Sequence, residues 1–258
     1  MTATLTSPTS PLVPVKRPSV SIIVPAFNES GNLRGGVADI HTAAVGILDE
    51  YDIIIVDDGS TDETIDVANA IAAEDRRVHV AFHIENRGLR DAYETGLLGV
   101  RNEVVVWLPS DREMAQESIA DIFRAIGTAD LVLPYHGTPQ NRSWFRRLLT
   151  WGSTTQLNLL LGHRLNYYQG TVVYPTEMAR RLPRTESGFF FNAEMLAWAL
   201  EEGCSYVEVP LVHQERQHGV SKAVSLRTIW RAQMLILRLA FRVHAERMAL
   251  TAQGMLIG

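Results

Sequence analysis

The segment that most constrains the fold covers residues 51–64, where an apolar run ends abruptly at charged residues. Residues 53–56 read Ile-Ile-Ile-Val, a β-branched run typical of a strand that is covered on both faces of a parallel sheet. Asp57 and Asp58 follow at once, and adjacent carboxylates at the end of a buried strand are costly unless something there uses them. Open α/β sheets bind ligands beyond the carboxyl ends of their strands, so the segment predicts a binding site. Taken alone, a polar turn before a helix N-cap explains it as well.

Three other apolar runs end in the same way, and helical patterns separate them. The runs cover residues 19–24, 78–83 and 103–108. The residues that follow them are Pro25, Ala26, Asn28 and Glu29 after the first run, Arg87 and Gly88 after the second, and Asp111 and Glu113 after the third. Strands joined by a helix pair in parallel, so these clusters should lie along one edge of a sheet. The alternation predicts an α/β fold with a mostly parallel sheet flanked by helices.

Two of these clusters suit a phosphorylated ligand. Asp111 and Glu113 offer oxygen ligands for a hard divalent cation such as Mg²⁺ or Mn²⁺, which would bridge the phosphates of a bound nucleotide. An acidic helix start is the plainer explanation, and the two readings are compatible. Arg87 and Gly88 precede a helix in a plausible phosphate-facing arrangement, whereas Arg90 reads equally well as solvated surface.

The second half of the chain alternates less regularly. Strands are predicted at 130–134, within 167–174 and at 206–209, and helices at 141–161 and 189–202. The first of these helices carries a basic cluster formed by Arg142, Arg146 and Arg147. The segment 213–222 contains Arg216 and Lys222, which could close over an anionic substrate; a flexible polar connection is the alternative.

Composition limits the classes of function. The chain has 258 residues, of which 46% are hydrophobic, so it can bury a substantial core. Its net charge of −5 argues against a general nucleic-acid-binding protein. Cys204 is the only cysteine, which excludes a disulfide framework and a cysteine-based metal site.

Targeting features are also sparse. Residues 1–18 are rich in Thr, Ser and Pro and lack the apolar core of a signal peptide, so they predict a disordered leader. No run approaches the ~20 apolar residues that a membrane span requires. We therefore expect a cytoplasmic protein, with peripheral contact to the inner face of the membrane as an option.

That option comes from an amphipathic pattern over residues 224–250. Four arginines fall within an arc of about 60° when the segment is drawn as a helix, beside a broad apolar arc that contains Trp230 and Phe241. The four are Arg227, Arg231, Arg238 and Arg242. Such a helix suits an anionic leaflet. The alternative is that the apolar face packs on the rest of the chain or on a second subunit of a homodimer, with solvated arginines.

Read together, the strand-end motifs V-P-A-F-N-E, V-D-D-G-S-T-D, N-R-G-L-R-D-A-Y and L-P-S-D-R-E resemble the nucleotide-sugar-binding half of family 2 glycosyltransferases, which have the GT-A fold. Q-G-T-V-V-Y, S-G-F-F-F-N-A-E and R-Q-H-G-V-S-K look like the branch that contains dolichol- and polyprenyl-phosphate sugar transferases. The resemblance covers most of residues 19–222 and implies a glycosyltransferase domain there, which leaves the predicted disordered leader over 1–18 and the amphipathic tail over 223–258 outside it.

The resemblance also implies roles for single residues. The nucleoside site would comprise Pro25, Ala26, Asn28, Glu29 on the ribose, Asp57 on the base and Asp58 as support. Arg87 and Gly88 would lie near the diphosphate, and Asp111 with Glu113 would bind the cation. Pro109 stands where the family usually has the first Asp of its Asp-x-Asp motif, so one carboxylate is absent. A mobile basic loop would contribute Arg216, Ser221 and Lys222.

The implied reaction is an inverting transfer of a sugar from a UDP- or GDP-sugar to a polyprenyl phosphate. A phosphate acceptor is already anionic and needs no base, so Arg216, Lys222 and the cation would share its charge. A soluble hydroxyl acceptor would need a base, for which Glu194 is the candidate; otherwise Glu194 would pair with an arginine. A non-catalytic nucleotide-sugar-binding protein is a third possibility, motivated by Pro109.

Overall fold

The computed structural model describes residues 17–137, 144–212 and 226–257. The first half of the chain alternates strands and helices in the order β1 (Val20–Ala26), α1 (Leu33–Ala44), β2 (Tyr51–Asp57), α2 (Thr64–Glu74), β3 (Val78–Phe82), α3 (Leu89–Gly99), β4 (Val104–Trp107) and α4 (Gln116–Ala125). The second half contains β5 (Leu131–His136), α5 (Trp144–Leu161), β6 (Tyr174–Pro175), α6 (Thr176–Arg181), α7 (Phe190–Glu201), β7 (Tyr206–Leu211) and α8 (Leu226–Ile257).

Within the described residues, the main sheet has the strand order β3-β2-β1-β4-β6. The pairs β1–β2, β2–β3 and β1–β4 are parallel, and β6 is antiparallel to β4. The chain thus adds β2 and β3 on one side of β1 and then returns to place β4 on the other. The expectation of a mostly parallel α/β sheet is confirmed, and the reversal beside β1 is the kind of switch point at which such sheets bind ligands.

Helices cover both faces of this sheet because its central strands alternate between two hydrophobic clusters. In β2, Ile53 and Ile55 belong to the cluster that also contains buried residues of α1, α2 and α4. Ile54 and Val56 belong to the opposite cluster, with residues of α3, α7 and α8. The Ile-Ile-Ile-Val run is therefore buried on both sides, as its composition predicts.

The second half departs from the predicted pattern. The strand predicted within 167–174 is reduced to β6 and one isolated bridge between Val132 and Val173. Upstream of that bridge, the Thr171 hydroxyl donates a hydrogen bond to the Trp107 carbonyl at the end of β4, so the segment crosses the strand end there. The strand predicted at 130–134 exists as β5, but it pairs in parallel with β7 in a separate two-stranded sheet.

The long helix α8 packs on the rest of the molecule. Ile236, Leu239, Ala240 and Val243 are buried in the same cluster as α3 and α7. One face of the predicted amphipathic tail therefore packs against the body of the protein. In the part of the chain that the structure covers, no helix combines the length and the apolar character that crossing a bilayer requires.

The packing of α3 on the sheet yields a stability test. A Cβ atom at Gly96 would lie 2.5 Å from the Cγ2 atom of Ile23 in β1, whereas one at Gly99 would lie 3.4 Å from Ile54. Gly96→Ala should therefore lower the free energy of unfolding by about 1–3 kcal/mol through overpacking. Gly99→Ala is the matched control and should be neutral or slightly stabilising. Urea unfolding measures both, and equal effects would contradict this packing.

Candidate active site

The loops that follow β1, β2 and β4 meet at one edge of the sheet. The parallel register pairs Ala26 with Asp57, so β1 and β2 end side by side. The Asp58 backbone N–H donates to the Ala26 carbonyl at 2.8 Å, and the Ser110 hydroxyl donates to the Pro25 carbonyl at 3.0 Å. These bonds join the loops after β2 and β4 to the end of β1, as the sequence predicts for its polar clusters.

The loops after β1 and β2 also interlock through side chains. The backbone N–H of Asn28 donates to the Ser60 hydroxyl at 2.9 Å, and the Thr61 N–H donates to the Asn28 side-chain oxygen at 2.8 Å. The Glu29 N–H donates to the Thr64 hydroxyl at 2.8 Å. Asn28 has a φ of 56°, a left-handed conformation that Asn tolerates better than most residues. Asn28 therefore helps to fix the loop that carries Asp57 beside the loop that carries Glu29.

Asp57 and Asp58 are each only 3% exposed, and they have different partners. Asp57 accepts a hydrogen bond from the Ser60 hydroxyl. Asp58 accepts bonds from the backbone N–H groups of Arg87 and Gly88, at 2.9 and 2.8 Å. Asp58 thus connects the end of β2 to the start of α3.

This connection changes the expected role of the α3 N-terminus. Because the N–H groups of Arg87 and Gly88 point to Asp58, they are already satisfied by a protein carboxylate. The exposed part of this turn is the Arg87 side chain, which is 55% exposed and lies 3.4 Å from Asp91.

Asp111 and Glu113 line a cleft of about 280 Å³ beyond the end of β4. Pro109, His136, Tyr167, Gln169 and Phe189 contribute other parts of its wall. The Glu113 backbone N–H donates to the Asp111 carboxylate at 3.1 Å, which orders this short acidic turn. Arg112 between them has a φ of 59°, and its guanidinium pairs with Asp39 of α1 at 2.9 Å. Left-handed non-glycine residues of this kind concentrate at functional sites.

The same cleft contains the two carboxylates that the sequence predicts for a divalent cation. In the described ranges, no group of three His, Cys, Asp or Glu side chains is arranged to hold a metal ion by itself. Mg²⁺, however, is usually held by one or two carboxylates together with substrate phosphates. Asp111 and Glu113 have the chemistry for such a shared site, since both carry oxygen ligands and line one cleft.

A second groove of about 410 Å³ shares one wall residue, His136, with this cleft. Its wall includes Arg147, Thr150 and Trp151 of α5 together with Asn166. Of the three arginines predicted to cluster in this helix, Arg147 is the one whose side chain the structure describes; Arg142 and the side chain of Arg146 lie outside the described set.

Glu194 is not placed to act as a general base. Its side chain is fully buried, and its two oxygens accept bonds from the Thr185 and Glu186 backbone N–H groups and from the Thr185 hydroxyl. The Arg242 guanidinium also contacts it at 2.5 Å. A carboxylate with both oxygens occupied inside the protein cannot reach a substrate hydroxyl. The alternative reading, in which Glu194 pairs with an arginine, describes this geometry.

The contact between Arg242 and Glu194 also bears on whether the α8 arginines are solvated, as the alternative interpretation of the tail expected. Arg242 lies in the half-buried network with Glu194, and Arg238 lies 3.6 Å from Glu186. Arg242 is therefore held by a buried carboxylate of the protein, whereas Arg238 is 67% exposed and remains largely in solvent beside Glu186. The side chains of Arg227 and Arg231 lie outside the described set, as do Arg216, Ser221 and Lys222.

The sequence patterns gave no reason to select His83, which lies directly after β3. Its Nδ1 atom is 2.7 Å from the Asp58 carboxylate, and its Nε2 atom is 2.8 Å from the Thr95 hydroxyl. The available signal was its position at a strand end, which is the feature that selected the aspartates.

Comparison with known proteins agrees with this architecture. Residues 21–183 match the family model described as glycosyl transferase family 2. A polyprenol monophosphomannose synthase of Mycolicibacterium smegmatis is 32% identical over an alignment of 214 residues, and the match covers 78% of this chain and 79% of that protein. An undecaprenyl-phosphate mannosyltransferase of Micrococcus luteus is 31% identical, covering 79% and 86%.

A solved structure shows the same fold. The crystal structure of glucosyl-3-phosphoglycerate synthase from Mycobacterium tuberculosis, in complex with Mn²⁺, UDP and phosphoglyceric acid, superposes with a TM-score of 0.65 at 16% identity. The match covers 86% of this chain and 78% of that one. At this identity it establishes a shared fold and no shared activity. Because the family model matches residues 21–183, the chain belongs to glycosyl transferase family 2. The strand-end loops that meet at one sheet edge and the structural match show that it has the GT-A fold.

Proposed function

We propose that this protein transfers a sugar from a UDP- or GDP-sugar to the phosphate of a polyprenyl phosphate, with inversion at the anomeric carbon. The observation that carries the proposal is the cleft with Asp111 and Glu113, which adjoins the edge formed by the loops after β1 and β2. The relatives named for polyprenol and undecaprenyl phosphate support the class of acceptor.

The donor would bind across the two interlocked loops. Glu29 and Asp57 would contact the ribose and the base, from loops joined by Asn28, Ser60 and Thr64. A site whose loops are fixed before the ligand arrives loses less conformational entropy on binding. Arg87, with its exposed guanidinium, would face the diphosphate.

Asp111 and Glu113 would hold a Mg²⁺ or Mn²⁺ ion shared with the donor. When bound, this cation would neutralise negative charge on the leaving diphosphate. The chain's own contribution is the ordered acidic turn, in which the Glu113 N–H holds the Asp111 carboxylate at 3.1 Å. The Mycobacterium tuberculosis structure contains Mn²⁺ with UDP, which supports the choice of a divalent cation as the cofactor.

The acceptor would react without a protein base. A lipid phosphate oxygen is already anionic at neutral pH, so it needs positioning and charge screening. The oxygen attacks the anomeric carbon in line, forming the new C–O bond as the bond from that carbon to the nucleoside diphosphate breaks. The groove beside His136 offers Arg147 for the phosphate and an exposed Trp151 for an apolar chain. The buried Glu194 agrees with a reaction that needs no base and weakens the hydroxyl-acceptor alternative.

We also propose that α8 rests on the cytoplasmic face of the membrane through its exposed apolar side. Five exposed residues recur at helical spacing on this side, opposite the buried face. They are Trp230, Met234, Leu237, Phe241 and Met248. Trp and Phe beside arginines suit the interface of an anionic bilayer. Because Arg242 pairs with the buried Glu194, the apolar side and the exposed Arg238 would carry much of the binding.

The acidic turn provides the main test of the proposed reaction. Asp111→Asn should lower sugar transfer at least about 100-fold, since it removes a charge from the site of the leaving diphosphate. Asp121→Asn, on an exposed surface pair with Arg124, is the matched control and should retain activity. The assay follows labelled sugar into a butanol-extractable lipid with Mn²⁺ present. Full transfer by a protein with both Asp57→Asn and Asp111→Asn would contradict the proposal.

Donor identity can be read from thermal stability. A ligand at 100 times its Kd stabilises the folded state by about 2.7 kcal/mol, which for a chain of this size should raise the Tm by about 5 °C or more. We expect either UDP-sugars or GDP-sugars, but not both, to give this shift with Mg²⁺ present. Asp57→Asn should abolish it. A screen in which no nucleotide sugar shifts the Tm would count against donor binding.

The membrane proposal is tested by polar substitutions on α8. Leu237→Gln with Phe241→Gln should lower the partition coefficient onto phosphatidylglycerol-containing vesicles at least about tenfold, because apolar burial in the interface is lost. Ile84→Gln with Leu98→Gln is the control, since Ile84 and Leu98 are 97% and 86% exposed elsewhere on the protein. Binding should also weaken with salt. If the α8 variant keeps wild-type binding but changes from dimer to monomer by analytical ultracentrifugation, the exposed side of α8 is a subunit interface.

A further inference from the structure

We infer that His83 is a positioning residue of the donor site, acting through Asp58 on the turn that carries Arg87. The inference rests on the proposed function, because it gives this turn a role in binding the donor. His83 does not touch the cleft residues, and none of the sequence motifs includes it. The positioning role is argued from three hydrogen bonds of His83, to Asp57, Asp58 and Thr95.

The first step is the environment of the imidazole. The side chains of His83 and Asp58 are 4% and 5% exposed, so the pair is nearly closed to water. The His83 backbone N–H donates to the Asp57 carbonyl at 2.8 Å, which fixes the residue beside the end of β2. Both ring nitrogens have partners, Asp58 at 2.7 Å and Thr95 of α3 at 2.8 Å. The ring therefore bridges the end of β2 and the second turn of α3.

The second step is the direction of the hydrogen bonds. If Asp58 is ionised, its carboxylate only accepts, so the Nδ1 atom of His83 must carry the proton that lies between them. The Oδ1 atom of Asp58 accepts from His83 and from the Arg87 N–H, and Oδ2 accepts from the Gly88 N–H. One buried carboxylate thus receives three donors, and His83 is the only one of the three that comes from a side chain.

The third step is the effect on the turn. Gly88 has a φ of 92°, a left-handed conformation that other residues adopt at a cost, so the chain reverses here just before α3. Asp58 accepts hydrogen bonds from the two N–H groups that immediately precede this reversal, and His83 in turn is hydrogen-bonded to Asp58. If His83 is lost, the carboxylate loses a buried donor and can rotate, so the Arg87 guanidinium is no longer held towards the donor site.

The test separates the two contacts of the ring. His83→Asn keeps a donor near the Nδ1 position and so keeps the bond to Asp58. His83→Gln reaches the Nε2 position and keeps only Thr95, while His83→Leu keeps neither. We expect the donor KM to rise about tenfold in His83→Gln and His83→Leu, with kcat changed less than about threefold. The reason is that these variants lose the buried hydrogen bond to Asp58, which orders the donor-binding turn but does not take part in the chemical step. His83→Asn should stay within about threefold of the wild-type KM.

Thr95→Val provides the control for a purely structural role. It removes the other contact of the ring and leaves the Asp58 bond in place, so it should lower stability in urea without raising the donor KM. If Thr95→Val and His83→Asn raise KM as much as His83→Leu, the inference is overturned, because loss of stability and not loss of the Asp58 bond then explains the effect. Hydrogen exchange of the Arg87 and Gly88 amides gives a readout independent of activity, and it should accelerate only where the Asp58 bond is lost.

Binding of UDP and GDP to the same variants, measured by calorimetry, distinguishes two kinds of failure. An active wild-type protein whose His83 variants all keep the wild-type KM and nucleotide affinity would overturn this inference and leave the proposed function intact. A wild-type protein that binds neither nucleotide and transfers no sugar would overturn the proposed function, and this inference with it.

Discussion

The parallel pairing of β1 with both β2 and β4 is the constraint on which the rest of the structure depends. Because these strands run in one direction, their carboxyl ends lie at one edge, and every loop that leaves them must begin there. The bonds from Asp58 to Ala26 and from Ser110 to Pro25 then hold neighbouring loops together at this edge. The proposed nucleoside site and the proposed cation site would therefore lie side by side, although they are built from segments that are distant in the chain.

Adjacent carboxylates in the sequence have separate uses in this arrangement. Asp57 remains beside the loop of Asn28 and Glu29, whereas Asp58 turns to the interior and receives His83 and the two N–H groups before α3. A buried carboxylate without such donors would be strongly destabilising. The hydrogen bonds therefore satisfy the buried carboxyl oxygens and at the same time set the position of a loop at the proposed donor site.

The same principle links the long C-terminal helix to the body of the protein. Arg242 reaches the fully buried Glu194, whose other bonds order the backbone at Thr185 and Glu186 just before Phe189 of the cleft. The apolar side of α8 that remains exposed is separate from this contact. The helix is thus anchored on one side by core packing and an ion pair, and its exposed apolar side is the one proposed to contact a membrane.

The sequence by itself determined the strand–helix alternation of the first half, the buried character of β2 and the gathering of polar residues at strand ends. These features depend on hydrophobic periodicity and on turn residues, which are local along the chain. Only the tertiary structure decided that β5 pairs with β7 in a separate sheet. It also decided that the buried Glu194 pairs with Arg242, 48 residues away, and that His83 is hydrogen-bonded to Asp58. Partner choice of this kind depends on which side chains meet across the fold, and hydrophobic patterns do not encode it because buried polar groups are satisfied by whatever donor the packing brings within reach.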